Sequence, residues 1–299
     1  MTLTVTVTTY NRPQSAAEAL RSIASQLEMD SQLILVDDAS DLDVDSYFDS
    51  RPFAFPIERV AHSRNWGLAA ARNSAIDVAT GEYFSFCDDD DKWPEGLASR
   101  LLSAIKTAPP DVGMSIAMRE DSKEKCEAIF GQYPRLADLM RAGLTPPVSS
   151  QLYRTALLQQ VGGYRTEVTS GVDHDLWISL SRINPRVAIA GGEPAIVDNS
   201  PSRVRLTTVE HHRRAGIQKS LSIWKRDLWD VYGEQFFRHF ERSYKRHLDY
   251  SFFVQSMRKR DYLDSVFRVI RNPWLLTDLL CDLFGRFVKR PHCTRFPRY

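Results

Sequence analysis

The stretch Tyr83–Trp93, YFSFCDDDDKW, decides the fold. Tyr83–Cys87 is bulky and apolar enough for a strand buried on both faces, and four aspartates end it abruptly. Strands of that kind belong to parallel sheets, whose ligands bind beyond the carboxyl ends of the strands. Four like charges in a row repel one another, and a cation held by oxygen ligands relieves them. Mg2+ and Mn2+ suit such a donor set and keep coordination positions for phosphate oxygens. The structural alternative is a solvated turn in which Asp90 or Asp91 caps the helix starting near Pro94.

Working outward, Thr2–Thr8 alternates Thr with Leu and Val as a strand, and Gln32–Asp37 (QLILVD) and Ile57–Ala61 read as two more. Residues 15–27 place Ala16, Leu20, Ile23, Ala24 and Leu27 on one helical face, with Ser15 as N-cap. An Ala-rich helix follows over Leu68–Ala79, stopped by Gly81, and Pro94–Thr107 is a further helix. Strands alternating with helices predict an α/β fold with a mainly parallel sheet flanked by helices. Beyond it, Val112–Met118 reads as a strand, 120–135 as a polar loop, Thr155–Val161 and Asp173–Ile183 as helices, and 187–198 as two short strands. After about residue 207 the periodicity is purely helical, over 208–230, 234–257, 261–271 and 274–289. This predicts two domains, 1–205 and a basic, amphipathic helical region over 206–299.

Composition agrees with that division. The 299 residues carry 39 Lys and Arg against 38 Asp and Glu, a net charge of +1. Residues 203–299 hold 21 basic and 10 acidic side chains, whereas residues 1–202 hold 18 and 28. Such asymmetry implies two surfaces with different partners. A hydrophobic content of 43% is that of a globular protein. No apolar run reaches the length of a membrane span, and the N-terminus lacks the pattern of a secretory signal. Four scattered cysteines suit a reducing compartment. The expected location is cytoplasmic, with peripheral attachment to the inner face of the cell membrane.

Polar clusters gather where strands end: Thr8–Arg12 (TTYNR), Val36–Ser40 (VDDAS), Asn65–Asn73 (NWGLAAARN) and Asp88–Trp93 (DDDDKW). In this order and spacing they resemble the family 2 glycosyltransferases of the GT-A fold. Gly171–Trp177 (GVDHDLW) resembles the segment in which that family carries an acid followed by a helix, and Gly162–Tyr164 resembles the stretch before it. The resemblance covers residues 1 to about 200.

It implies an inverting, metal-dependent glycosyltransferase that moves a sugar from a UDP-sugar to a hydroxyl of a glycan or lipid-linked glycan acceptor, in polysaccharide synthesis. Thr8, Tyr10 and Asp38 would hold the base and ribose, with Arg12 and Asp89 beside them, and Arg72 would contact the nucleotide or pyrophosphate. Asp88 and Asp90 form the DxD element that holds Mn2+ or Mg2+. Asp173 would be the catalytic base, with Asp175 as the alternative and an N-cap as its structural reading. Two positions depart from the family. Val172 stands where Glu is common, and Arg205 stands near where a His is expected, with His211 and His212 as substitutes.

The helical tail mixes cations with large apolar residues. Most of its aromatics should form a helical core. Trp274, Leu275, Leu279, Leu280, Leu283, Phe284, Phe287 and Val288 would form an apolar face that lies on a membrane, docks on the protein or makes a homo-oligomer. No nucleic-acid motif accompanies the charge. The alternative functions are a non-catalytic glycan- or membrane-binding scaffold with a degenerate site, and a DxD phosphohydrolase.

Overall fold

The computed structural model describes residues 2–49, 53, 55–197, 210–258 and 260–276. Two compact units divide the chain, Met1–Val204 and Arg205–Arg298.

The first unit begins β1 (Leu3–Thr9), α1 (Pro13–Ala24), β2 (Gln32–Asp37), α2 (Val44–Asp49), β3 (Glu58–Ala61), α3 (Leu68–Asp77), β4 (Tyr83–Asp88) and β5 (Asp91–Lys92). It continues α4 (Leu97–Lys106), β6 (Val112–Met118), α5 (Glu120–Phe130), α6 (Leu136–Arg141), a 3-10 turn (Val148–Ser150), β7 (Gln151–Arg154), α7 (Thr155–Val161), α8 (Val172–Ser181), β8 (Arg186–Gly191) and β9 (Ile196–Val197). Seven strands form one sheet in the order β3-β2-β1-β4-β7-β6-β8, and β5 pairs with β9 in a ribbon of two. The pairs β1–β2, β1–β4, β2–β3 and β6–β8 are parallel. Among the described residues of the seven-stranded sheet only β7 runs against its neighbours, β4 and β6, and in the ribbon β5 and β9 are antiparallel.

The alternation in β1 explains how its two faces are used. Leu3, Val5 and Val7 join Ala16, Leu20 and Ile23 of α1 in the core. Thr4 faces the other way and accepts a hydrogen bond from the Gly81 N–H at 2.9 Å. A Cβ on Gly81 would lie 2.6 Å from the Thr4 nitrogen, so this glycine serves a close crossing of the chain. The expected helix stop at Gly81 is therefore corrected: α3 ends four residues earlier, at Asp77.

Other boundaries shift for local reasons. Helix α1 starts at Pro13, whose fixed φ suits the first helical turn, so Ser15 lies inside the helix rather than capping it. Helix α4 is preceded by Gly96 in a left-handed conformation, which leaves Asp90 and Asp91 without a capping role. The segment 120–135, expected as a loop, contains α5. Its only buried residue is Cys126, so it has almost no apolar stripe, and its acidic first turn and helix-forming Glu and Lys carry it.

The second unit contains α9 (Glu210–Tyr232), α10 (Glu234–Arg258) and α11 (Tyr262–Arg271). Trp224, Leu228, Phe237, Phe240, Phe252 and Phe253 are buried, so the tail aromatics do form a helical core. The apolar segment expected over 274–289 lies outside the described residues beyond Leu276, as does Arg205. Among the described residues no helix is long and apolar enough to cross a membrane.

Candidate active site

Sheet register brings the polar clusters to one edge. Thr9 of β1 lies opposite Asp37 of β2, and Thr8 opposite Asp88 of β4, so three strands end together. The loops that leave them are laced to one another. The Asn11 N–H donates to Ser40 Oγ at 2.7 Å, and the Ser40 hydroxyl donates to Asp37 Oδ1 at 2.5 Å. Asn11 and Ala39 both adopt left-handed backbone, with φ of 57° and 61°. Non-glycine residues held in that region are strained, and such strain gathers at functional sites.

Asp38 is buried and already well supplied with donors. Its Oδ1 accepts from the Trp66 N–H at 2.8 Å and from His62 Nδ1 at 2.7 Å, and its Oδ2 accepts from the Gly67 N–H at 2.8 Å. One lone pair of Oδ2 remains. The carboxylate thus fixes the loop that enters α3, with His62 as a strut that also meets Ser74 at 2.9 Å. A single His in a loop gives no sequence pattern, and His62 carried no signal.

The acidic turn alternates. Asp89 and Asp91 point inward and are almost fully buried, while Asp88 and Asp90 keep 32% and 17% of their side-chain surface. Thr9 Oγ1 donates to Asp89 at 3.0 Å, and Arg12 reaches it at 2.7 Å with its other nitrogen 3.6 Å from Asp90. Ser149 donates to Asp91 at 2.5 Å. Burial pushes the Asp89 carboxyl up to about 7, against the pull of Arg12, and the Asp91 carboxyl up to about 8. Without a cation beside them, both carboxyls hold a proton more firmly than an exposed aspartate does. Arg12 and Asp89, expected beside the nucleotide, pair with each other.

Arg72 sits at the centre, 1% exposed. Its Nη1 donates to Asp173 Oδ1 at 2.6 Å and its Nη2 to Asp88 Oδ1 at 2.7 Å. The guanidinium lies 5.2 Å from the ring centre of Tyr164 and 5.6 Å from that of Phe86. Burial works to lower its pKa, but Tyr164, Asp173 and Asp88 outweigh it and hold the group charged. Desolvation raises Asp88, with Arg72 pulling the other way. Tyr164 is itself placed by Asn73, which donates from its side-chain amide to Tyr164 O and accepts from Tyr164 N, both at 2.8 Å. Arg72, expected to contact the nucleotide or pyrophosphate, thus bridges two carboxylates.

Asp173 and Asp175, two candidates for one role, separate clearly. Asp173 stands in the first turn of α8, is 38% exposed and keeps Oδ2 beyond its bond to Arg72. The helix N-terminus favours its negative charge. Asp175 is fully buried, and Arg165 holds it through a backbone N–H at 2.9 Å and side-chain nitrogens at 2.7 and 2.6 Å. Thr8 is buried and Tyr10 is half-buried at the end of β1. His211 and His212 lie exposed in the second unit.

A family model described as Glycosyl transferase family 2 matches residues 4–138. Over those residues the chain is similar to family 2 glycosyltransferases. The uncharacterised glycosyltransferase YwdF of Bacillus subtilis is 28% identical to it over 191 residues, covering 61% of this chain and 69% of that protein. The chain spans 35%, 36% and 53% of the length of three further curated relatives. Among solved structures, S. aureus TarS 1-349 in complex with UDP-GlcNAc aligns with a TM-score of 0.61 at 17% identity, over 84% of this chain and 70% of that one. The mannosyltransferase PcManGT of Pyrobaculum calidifontis, in complex with GDP-Man and Mn2+, aligns with a TM-score of 0.58 at 18% identity, over 95% and 87%. At those identities the likeness is one of fold, and the fold of the first unit is the expected GT-A.

Asp88 and Asp90 of this domain also answer whether a divalent ion fits. Two partly exposed carboxylates offer hard oxygens at the turn, and the Cys87 thiol beside them is buried. Among the described residues no third His, Cys, Asp or Glu joins them in a metal-holding group. Two carboxylates with the remaining positions left to water and substrate phosphates is the donor set that Mg2+ or Mn2+ uses with nucleotides.

Proposed function

We propose that the protein transfers a sugar from a UDP-sugar to a hydroxyl of a glycan acceptor, with inversion at the anomeric carbon. The carrying observation is the Arg72 bridge, which fixes Asp173 beside the first carboxylate of the acidic turn. In the displacement the acceptor oxygen bonds to the anomeric carbon as the bond from that carbon to the diphosphate oxygen breaks. Its electron pair leaves with UDP, and the acceptor proton passes to Asp173 Oδ2. A sugar hydroxyl is a weak nucleophile at neutral pH, so a positioned carboxylate is worth roughly 10²–10⁴-fold in rate.

Asp38 would accept from the uracil N–H with its remaining lone pair, and Tyr10 would stack on the base. Thr8 lies at the same strand end. A divalent ion held by Asp88 and Asp90 would act as a Lewis acid on the departing diphosphate. The acceptor class we assign is a lipid-linked or cell-surface glycan, supported by the basic charge of residues 203–299, which suits an anionic surface. Arg205 would stand in for the missing His as a phosphate contact.

Calorimetric titration of UDP with and without Mn2+ tests the reading. Metal-dependent UDP binding that Asp90→Ala abolishes supports it, and failure to bind any nucleoside diphosphate overturns it in favour of a scaffold. A donor screen by release of nucleoside diphosphate then identifies the sugar.

A further inference from the structure

Helix α11 sits on the second unit with its faces reversed from those of an ordinary soluble helix. Its polar side turns inward. Ser265 is buried with its hydroxyl 2.9 Å from that of Ser256, and Arg268 donates to the two oxygens of Glu210 at 3.1 and 2.6 Å. Its apolar side turns outward: Leu263, Val266, Phe267 and Ile270 are 77%, 56%, 61% and 67% exposed. These four follow the spacing that puts residues on one helical stripe. A single exposed leucine is ordinary, whereas an unbroken stripe of large apolar side chains marks a surface that something covers.

Size and charge identify the cover. Ten residues rising 1.5 Å each give a stripe about 15 Å long and roughly 10 Å wide. Four side chains on one ten-residue helix fall far short of the roughly 20–30 residues a side that a stable dimer uses. Cations stand at both ends, for Arg260 and Arg271 are exposed. The nearby acids are occupied, Asp264 by Arg268 at 2.6 Å and Asp261 as the N-cap of the helix. Residues 258–299 as a whole carry ten Lys and Arg against four Asp and Glu. An apolar stripe rimmed by cations matches a helix lying in a lipid headgroup region.

We infer that α11 docks the protein on an anionic bilayer, its Leu263–Val266–Phe267–Ile270 stripe entering the boundary between headgroups and acyl chains and Arg260 and Arg271 meeting lipid phosphates. The docking surface is independent of the transferase reading and stands whether or not UDP binds.

Cosedimentation of the full chain with vesicles of phosphatidylcholine, alone or mixed with phosphatidylglycerol, tests it. The wild type partitions onto the mixed vesicles and only weakly onto phosphatidylcholine. The triple variant L263Q/F267Q/I270Q, altered only at exposed side chains, loses at least about tenfold of that partitioning while its circular dichroism is unchanged. As a second measurement, Phe267→Trp should shift its emission to the blue on mixed vesicles. Three results overturn the inference: no wild-type binding, equal partitioning of wild type and triple variant, or a wild-type dimer without vesicle affinity that the triple variant converts to monomer.

Discussion

Asp88 and Asp173 bind the two terminal nitrogens of one buried guanidinium, that of Arg72, at 2.7 and 2.6 Å. The two acids lie 16 and 101 residues from Arg72 in sequence, and the bridge fixes the end of β4 to the start of α8. A lysine at this position reaches one acid at a time and cannot present the same fork. Arg72→Lys should therefore lower kcat by about 10²-fold or more through misplacement of Asp173, with UDP affinity changed much less. Steady-state kinetics beside UDP titration measures the split. An unchanged kcat would remove Arg72 from any part in positioning.

Asp173→Asn should retain UDP binding and lose at least about 10²-fold in turnover. Asp175→Asn should act on stability instead. Its carboxylate is fully buried against Arg165, so its loss destabilises the fold by up to about 3–5 kcal/mol, read as a lower melting temperature, with the folded enzyme still active. Wild-type turnover in Asp173→Asn would reassign the base.

Gly163 reaches the site through Asn73. Its φ is +68°, and a Cβ there would run into the Asn73 side-chain oxygen. Gly163→Ala should cost about 1–2 kcal/mol from the left-handed conformation alone, and more from displacing Asn73. Because Asn73 holds Tyr164 above Arg72, kcat should fall in step. Thermal melts and kinetics on one preparation compare the two effects.

In the second unit, hydrogen bonds from Arg268 and Arg214 hold the Glu210 carboxyl below the usual range. A folded pKa below the unfolded one means that the pair stabilises the protein above the ordinary glutamate pKa. The contribution is lost as pH falls through the folded value. Melts of wild type and Glu210→Gln should thus differ at pH 7 and converge as acid protonates the carboxyl. A gap that persists in acid would show that Glu210 acts through shape rather than charge.

How much of this was legible depended on pattern strength. Gln32–Asp37, Val112–Met118 and Thr155–Val161 appear with the bounds their apolar runs and flanking residues implied. Strand β7 was missed because QLYR is four residues long with polar ends, too short for a period. The site residues stood out as types at strand ends, yet their partners did not. Nothing in the spacing of Arg72 says that it is buried between two acids, since that depends on the start of α8 meeting the end of β4. Ser149, which supports Asp91 and accepts from the Asp88 N–H at 3.1 Å, lies in a short turn with no signature.

The reversed strand β7 has a consequence for synthesis on the ribosome. The parallel block β3-β2-β1-β4 is complete once residue 88 has emerged, but the neighbour that closes β4 begins at Gln151. Until then β4 is an open edge. Ser149, Tyr164 and Asp173, which enclose Asp91 and Arg72, also come from this later stretch. A nascent chain therefore carries Asp91 without Ser149, and Arg72 with only Asp88 of its two acids, through more than sixty residues of elongation. Long-range closure of this kind is slow, and the interval exposes the half-built sheet to mispairing. The nascent chain most needs protection between the emergence of Asp88 and that of Asp173.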